Sequence, residues 1–413
     1  MAEPLRSPAF RTYWFATTVG FLGLSFTSLA VDVLVIRGLD ASEVGVGVVR
    51  ASQYLPYLLI GLVAGAYVDR WRRRPTLVVA NLAQGALLLL LPLLWWLDAL
   101  TVWAVAGVLL AAGIGAVFAA AAEQSYLPDL VPRDELVAAN ARLGQAMTVS
   151  QSAGPPLAGA FLAGLGASAA LVTGALARLV TAVLVLRIPH DEPPPAPTGR
   201  PHLRRDIATG LAFIYRHPIL APLAISTHTW FLANSIATTV LGLFVLRGLD
   251  LGATAYGFVL AAAGVGGFVG AVCAPALGRR IGEGDAVIIG RAMCTVAWLA
   301  VALTPDLGGA AAASYVCGAL LLYGLAMGLE DPNEMGYWQS LTPRDVLGRV
   351  NATRRSANRS IAVVGALLGG VLASVVGYRG TLVGVTVAFA VACLVVVLSP
   401  LRGERVATTA HDR

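Results

Sequence analysis

The sequence predicts an all-α membrane protein whose twelve transmembrane helices form two parallel six-helix bundles. Three observations predict it. Of the residues, 57% are hydrophobic and only 13% are charged, and the mean hydropathy is +0.75. A water-facing surface for 413 residues needs far more charge than that. Next, a bilayer core of about 30 Å takes about 20 apolar residues in a helix. Apolar runs of at least that length cover roughly 10–36, 44–68, 75–97, 100–127, 137–165, 168–188, 218–246, 254–278, 284–304, 309–340, 348–376 and 379–400. Finally, the chain repeats itself. I-R-G-L-D from Ile36 recurs as L-R-G-L-D from Leu246, an offset of 210. P-R-D-E-L-V-A-A-N-A from Pro132 recurs as P-R-D-V-L-G-R-V-N-A from Pro343, an offset of 211. Gly47, Gly154 and Gly159 return as Gly257, Gly365 and Gly370 in the same register. Six spans separate the copies, an even number of crossings. Both halves therefore share one orientation, about an axis along the membrane normal.

The charges orient the spans. Arg6, Arg11, Arg70, Arg72, Arg73, Arg74, Arg133, Arg187, Arg216, Arg279, Arg280, Arg344 and Arg349 fall on one side. Near span ends, the other side holds Arg37, Arg247 and Arg379. By the positive-inside rule the first side is cytoplasmic, with both termini. The net charge of +6 does not imply nucleic acid, because its arginines cluster between apolar runs. The expected setting is multi-pass in a bacterial plasma membrane, as a monomer.

Residues 1–188 make the first bundle, 189–217 a linker and 218–413 the second bundle with a short tail. The linker opens P-H-D-E-P-P-P-A-P, whose prolines prevent helix. Leu203, Ile207, Leu211 and Ile214 then recur three or four apart, the pattern of an amphipathic helix lying on the membrane surface. The N-terminus lacks a cleavable apolar signal and reads as a lead-in to the first span. Cys273, Cys294, Cys317 and Cys393 all lie in apolar runs without a C-x-x-C pair, as buried thiols do, so no metal is expected.

Two motifs carry a family resemblance. Between spans two and three stands G-A-Y-V-D-R-W-R-R-R-P, from Gly65 to Pro75. Span five holds G-P-P-L-A-G, from Gly154 to Gly159. With two six-span halves, the chain resembles the major facilitator superfamily over essentially its whole length, and most resembles its drug- and siderophore-exporting branch. Arg72 stands where the family's loop has a glycine, and Ala158 where its span-five motif has one. The resemblance implies that Gly65, Asp69, Arg70 and Arg73 form a cytoplasmic gate. Asp69 would then meet the start of the eleventh span near Leu347 and Gly348, where helix-terminal N–H groups stabilise a carboxylate. The alternative is that the arginines only set topology. Gly154, Pro155 and Gly159 match the antiporter motif. As residues, small side chains let helices approach and proline kinks them.

Ionisable residues inside spans are costly and are functional candidates. Asp32 and Arg50 lie at similar depth in spans one and two, so they pair or serve the cavity. Asp32 has Gly242 as its repeat-mate, an asymmetry that suits a proton site better than a structural one. Glu123 aligns with Glu334, and Glu330 and Asp331 precede Pro332 in span ten. These acids are proton-coupling candidates, or partners of Arg344, Arg354, Arg355 or Arg359. Arg178 sits mid-span without a sequence-local partner, and His228, Trp230 and Asn234 are cavity candidates in span seven. The resemblance places spans one, four, seven and ten around a central cavity. It also leads one to expect an arginine in span four, which is missing.

There is no phosphate-binding loop for ATP, and no soluble domain to hold an enzyme's active site. The leading expectation is efflux of a small amphipathic or drug-like compound, or a siderophore, by proton antiport, with the proton as the sole coupling agent and no cofactor. The alternatives are an importer or facilitator of a small solute on the same scaffold, or a non-transporting membrane receptor.

Overall fold

The computed structural model describes residues 4–68, 70–190, 192 and 203–401, apart from the side chains at 62, 63, 65, 66, 133, 203–207, 344 and 345. Asp69, linker residues 193–202 and the tail after Leu401 lie outside the described residues, as do the surroundings of Gly65. The chain is helical throughout the described part: α1 (Pro8–Val33), α2 (Glu43–Val68), α3 (Arg73–Trp96), α4 (Val102–Leu130), α5 (Leu136–Leu186), α6 (Leu203–Arg216), α7 (Leu220–Leu243), α8 (Ala253–Ile281), α9 (Glu283–Ala302), α10 (Gly309–Leu341) and α11 (Arg344–Val397). Among the described residues, nine helices are long and apolar enough to cross a membrane. α2, 26 residues long, runs beside them against α4 and α11.

Local chemistry sets the ends. Ser7 caps α1 by accepting the N–H of Phe10, with Pro8 opening the helix. Thr101 caps α4 through the N–H of Ala104. α5 and α11 each break once, at Gly166 (φ 81°) and Gly377 (φ 74°). That left-handed conformation admits glycine at no steric cost. The sequence places a span boundary at each. Large apolar side chains such as Leu59, Val79, Leu165, Val272 and Val375 face outward, which suits lipid as the surrounding solvent.

Within the first set of helices α1 and α3 pack on α5, and α2 and α3 on α4; in the second, α8 and α9 pack on α10, and α7 and α9 on α11. The two sets meet along α2 with α11 and along α5 with α8. The repeat glycines build these seams. A methyl at Gly257 would lie 2.4 Å from the Pro155 carbonyl, and one at its mate Gly47 would lie 2.8 Å from that of Ala366. One at Gly159 would lie 2.7 Å from the Ala253 carbonyl, and one at Gly370 would lie 2.4 Å from that of Glu43. Gly154 abuts Ser25, and Gly365 abuts Ser235. Each member of a pair thus makes its mate's contact across the pseudo-twofold.

α6 packs against α11 and α7. Gly210 sits against Thr353 and the Arg349 carbonyl, and Ile214 is buried with Leu220, Tyr337 and Val350. Leu211 stays exposed.

Candidate functional site

The repeat explains where the interior is hollow. In the second set of helices, Trp298 stacks on Phe389, Tyr323 meets both rings edge-on, and Trp230 meets Phe389 edge-on. At the repeat offset these four rings correspond to Leu88, Arg178, Ala112 and Gly20 in the first set. Smaller or polar residues there leave a cavity of about 360 Å³. It is lined from α1, α2, α3, α4 and the second part of α5, with Arg359 reaching in from α11. α7 and α10 do not line it, which departs from the expected central ring of spans one, four, seven and ten.

Three charged groups share this cavity: Glu123, Arg178 and Arg359. Glu123 and Arg178 are each other's principal opposite charge. Arg359 lies over the rings of Tyr57 and Tyr54, 5.1 and 5.8 Å from their centroids. Gln53, Gln84 and Ser28 add polar groups, and Phe21, Leu24, Val31 and Leu109 add apolar wall.

Asp32 and Arg50 stand apart from the cavity as a direct ion pair of 2.5 Å. Asp32 also accepts a 3.0 Å hydrogen bond from the Tyr256 hydroxyl of α8, so the network crosses between the two sets of helices. Gly242, the repeat-mate of Asp32, leaves the room that this hydroxyl occupies: a methyl there would lie 3.2 Å from it.

The remaining acids of α10 are gathered by a residue that the sequence reading missed. Arg291 in α9, 1% exposed, bonds Glu330 at 3.0 Å and Glu334 at 2.9 Å. Glu334 further accepts from Thr227 and Trp338 and lies 3.6 Å from Arg354. Of the loop-side arginines expected as partners, Arg354 has a place in this cluster, and the side chain of Arg344 lies outside the described residues. The signal was available: Arg291 interrupts an apolar run as Arg178 does. Asp331 is exposed. Trp230 is buried, with the Arg291 guanidinium 5.7 Å from its ring centroid. His228 has both ring nitrogens engaged, with Asn358 at 2.8 Å and Tyr215 at 2.6 Å, and Asn234 accepts from Tyr323. None of these three span-seven residues lines the cavity.

The arginine-rich loop makes contacts inside the first set of helices. Arg73 pairs with Asp129 at 3.4 Å and faces Glu192. Glu192 also accepts the backbone N–H groups of Arg73 and Arg74, a carboxylate at a helix N-terminus. Arg74 donates to the Leu186 carbonyl. These arginines therefore staple α3 to α4 and to the segment after α5, a role beyond topology. Arg70 is exposed. Among the described residues, nothing lies within 4 Å of a methyl placed at Gly348; Asp69 lies outside them.

The opposite, arginine-poor face is closed by a reciprocal clasp. Arg37 bonds Asp250 at 2.6 Å and the Leu246 carbonyl at 2.7 Å. Arg247 bonds Asp40 at 2.7 Å and the Ile36 carbonyl at 2.5 Å. Both arms come from the repeated R-G-L-D segment. Each helix before it widens by one residue, shown by i to i−5 bonds from Leu39 and Leu249. The two aspartates adopt positive φ, 43° and 48°, a region Asp tolerates better than most residues. Each arm contributes about 1 kcal/mol, because the pair is exposed while the carbonyl bond is charge-assisted. Arg37→Ala with Arg247→Ala is expected to favour opening of this face about 30-fold. Spin-label distances across the face would test it, and an unchanged distance distribution would refute it.

A family model described as transmembrane secretion effector matches residues 1–412. The multidrug efflux pump Tap of Mycolicibacterium fortuitum is 26% identical over 415 residues, covering 97% of each chain. The enterobactin exporter EntS of Escherichia coli is 25% identical over 376 residues, covering 88% of this chain and 85% of that protein. Among solved structures, the nucleoside transporter NupG superposes with a TM-score of 0.75 at 11% identity, covering 94% of this chain and 98% of that one. A bacterial homologue of ferroportin in an inward-facing state gives 0.71 at 17% identity, covering 94% and 98%.

Proposed function

The chain belongs to the transmembrane secretion effector family of major facilitator transporters, and from that membership we propose that it exports a small amphipathic compound by alternating access coupled to inward proton movement. The observation that carries this reading is the cavity of the first bundle, which lies behind the clasped arginine-poor face. The chain crosses the membrane twelve times: the breaks at Gly166 and Gly377 divide α5 and α11 into two crossings each. Residues 1–188 and 218–413 rock against each other as bundles, joined by residues 189–217. The arginine-rich face is cytoplasmic, with both termini, and the protein works as a monomer. The clasped state is then closed to the outside. In the opposite state Gly65, Asp69, Arg70 and Arg73 take part in the inner gate, and Asp69 approaches the start of α11.

Asp32 is the proton site that best fits the geometry. Ionised, it holds Arg50 and accepts from Tyr256 across the bundle seam. Protonated, it loses its hold on Arg50 and weakens as Tyr256's acceptor. The proton then has different affinities for closed and open states, which coupling requires. Glu330 and Glu334, locked to Arg291, and exposed Asp331 are secondary candidates. Pro155 and Gly159 of the motif contribute to the seam against α8 along which the bundles move, while Gly154 packs on α1 within the first bundle.

Cellular accumulation of ethidium and of 8-anilinonaphthalene-1-sulfonate would test export. Expression is expected to lower accumulation of at least one dye, and dissipating the pH gradient to restore it. Asp32→Asn is expected to remove the response to the gradient. Raised accumulation on expression would favour the importer alternative, and no change for either dye would overturn the export reading.

A further inference from the structure

The charges in the cavity of the first bundle do not cancel. Arg178 and Arg359 bring two guanidinium groups, and Glu123 one carboxylate. Among the described residues Arg178 donates no hydrogen bond, and its charge is answered only by the field of Glu123 and Tyr57. Arg359 is steadied by two ring faces, which offset its charge but leave the N–H donors unspent. The same stretch of α11 carries two further arginines, of which Arg355, four positions before Arg359, shares its face. Arg354 is engaged by Glu334 and Trp338. Arg355 bonds the neutral amide of Gln124 at 3.3 Å. No acid answers Arg359 within ion-pair distance among the described residues. On α10, Asp331 is exposed and faces the fields of Glu334, Arg291 and Arg354.

Guanidinium groups facing a membrane-embedded cavity without direct ion pairs are costly. They are also poised for a partner, since planar guanidinium matches a carboxylate or sulfonate in bidentate fashion. Phe21, Leu24, Val31, Leu88 and Leu109 provide an apolar wall beside them. At about 360 Å³ the space is within the usual range for small-molecule sites, about 300–1,000 Å³.

We propose that this cavity selects anions: it takes an amphipathic substrate whose apolar body carries an acidic group, held between Arg178 and Arg359. The inference rests on the cavity being the substrate site of the export reading. It also separates the roles of the acids. A proton on Glu123 raises the cavity's positive charge and so favours an anion, and by reciprocity the anion favours that proton. Antiport needs proton and substrate to oppose each other. The exchanged proton therefore belongs away from Glu123, at a group such as Asp32.

The test uses two probes of similar shape and opposite charge, naphthalene-1-sulfonate and 1-naphthylmethylammonium, titrated calorimetrically into the purified full chain in detergent, with empty micelles as reference. The anion is expected to bind at least about tenfold tighter than the cation. Arg178→Gln and Arg359→Gln are each expected to weaken the anion about 10- to 100-fold, the worth of a charge-assisted hydrogen bond. Arg178→Lys and Arg359→Lys keep the charge and are expected to keep the preference. Glu123→Gln is expected to strengthen the anion. Equal binding of the two ions, preference for the cation, no binding of either, or an anion preference that survives both glutamine variants would overturn the proposal. If a glutamine variant fails to fold, the lysine variants and Glu123→Gln still decide: loss of preference in the former, or weaker anion binding in the latter, refutes it. Anion preference without dye efflux would remove the export reading and leave the site. Efflux with cation preference would do the reverse.

Discussion

Arg291→Met is expected to destabilise the second bundle by about 3–5 kcal/mol, the cost of removing one partner from a buried ion cluster. Arg291 is 1% exposed and sits between Glu330 (2%) and Glu334 (6%). Its loss strands Glu330 without a positive partner among the described residues and leaves Glu334 with Arg354 at 3.6 Å. Their nearest apolar neighbours cannot solvate them. Adding Glu330→Gln and Glu334→Gln to Arg291→Met is expected to recover most of the loss, because the charges disappear together. Thermal unfolding in detergent, followed by tryptophan fluorescence, would measure both. A single variant that melts with the parent would show that water reaches the cluster. A triple variant no better than the single one would show that packing of the arginine stem is what matters.

The second large effect is conformational. Gly257→Ala and Gly370→Ala each place a methyl 2.4 Å from a carbonyl of the opposite bundle, Pro155 and Glu43 respectively. No rotamer change relieves a clash with backbone. Each bundle's own packing is left alone, so the strain falls on the seam. Overpacking of about 1–3 kcal/mol is expected to favour the state open at the arginine-poor face by about 5- to 150-fold. A cysteine in place of Ser28, which lines the cavity, should then react faster with an impermeant maleimide in a background without the native cysteines. Gly324→Ala is the contrasting variant. Its methyl would lie 1.9 Å from the Ala263 carbonyl within one bundle, so it is expected to lower folding yield without raising labelling. Unchanged labelling in the Gly257 and Gly370 variants, with reduced melting temperature, would assign those glycines to folding alone.

The repeat carried more information than its first use suggests. As sequence, Gly47 with Gly257 and Gly159 with Gly370 argue for two halves in one orientation. In the structure the same residues are the places where the halves touch. R-G-L-D, noticed as a repeat and a topology signal, is the clasp. Gly154 and Pro155 were legible as packing residues because small side chains and a missing N–H have consequences wherever they stand. Arg73 and Arg74 were legible only as positive charge. Their partners, Asp129, Glu192 and the Leu186 carbonyl, come from segments more than 50 positions away.

What the sequence determined by itself follows from quantities that add along the chain. Span length, loop charge, breaks near Gly166 and Gly377, and the 210-residue repeat are sums or spacings, and the bilayer imposes them segment by segment. What only the tertiary structure decided is which side chain faces which. A helix apolar on its lipid face and on its core face has no stripe to reveal its orientation. Arg178 and Arg291 therefore look alike as residues in apolar runs, yet one opens onto a cavity and the other is closed between two acids. Gly20, Leu88 and Ala112 are smaller than Trp230, Trp298 and Tyr323. Packing turns that difference into a cavity in one bundle and an aromatic cluster in the other, because interior volume is settled by all the neighbours at once.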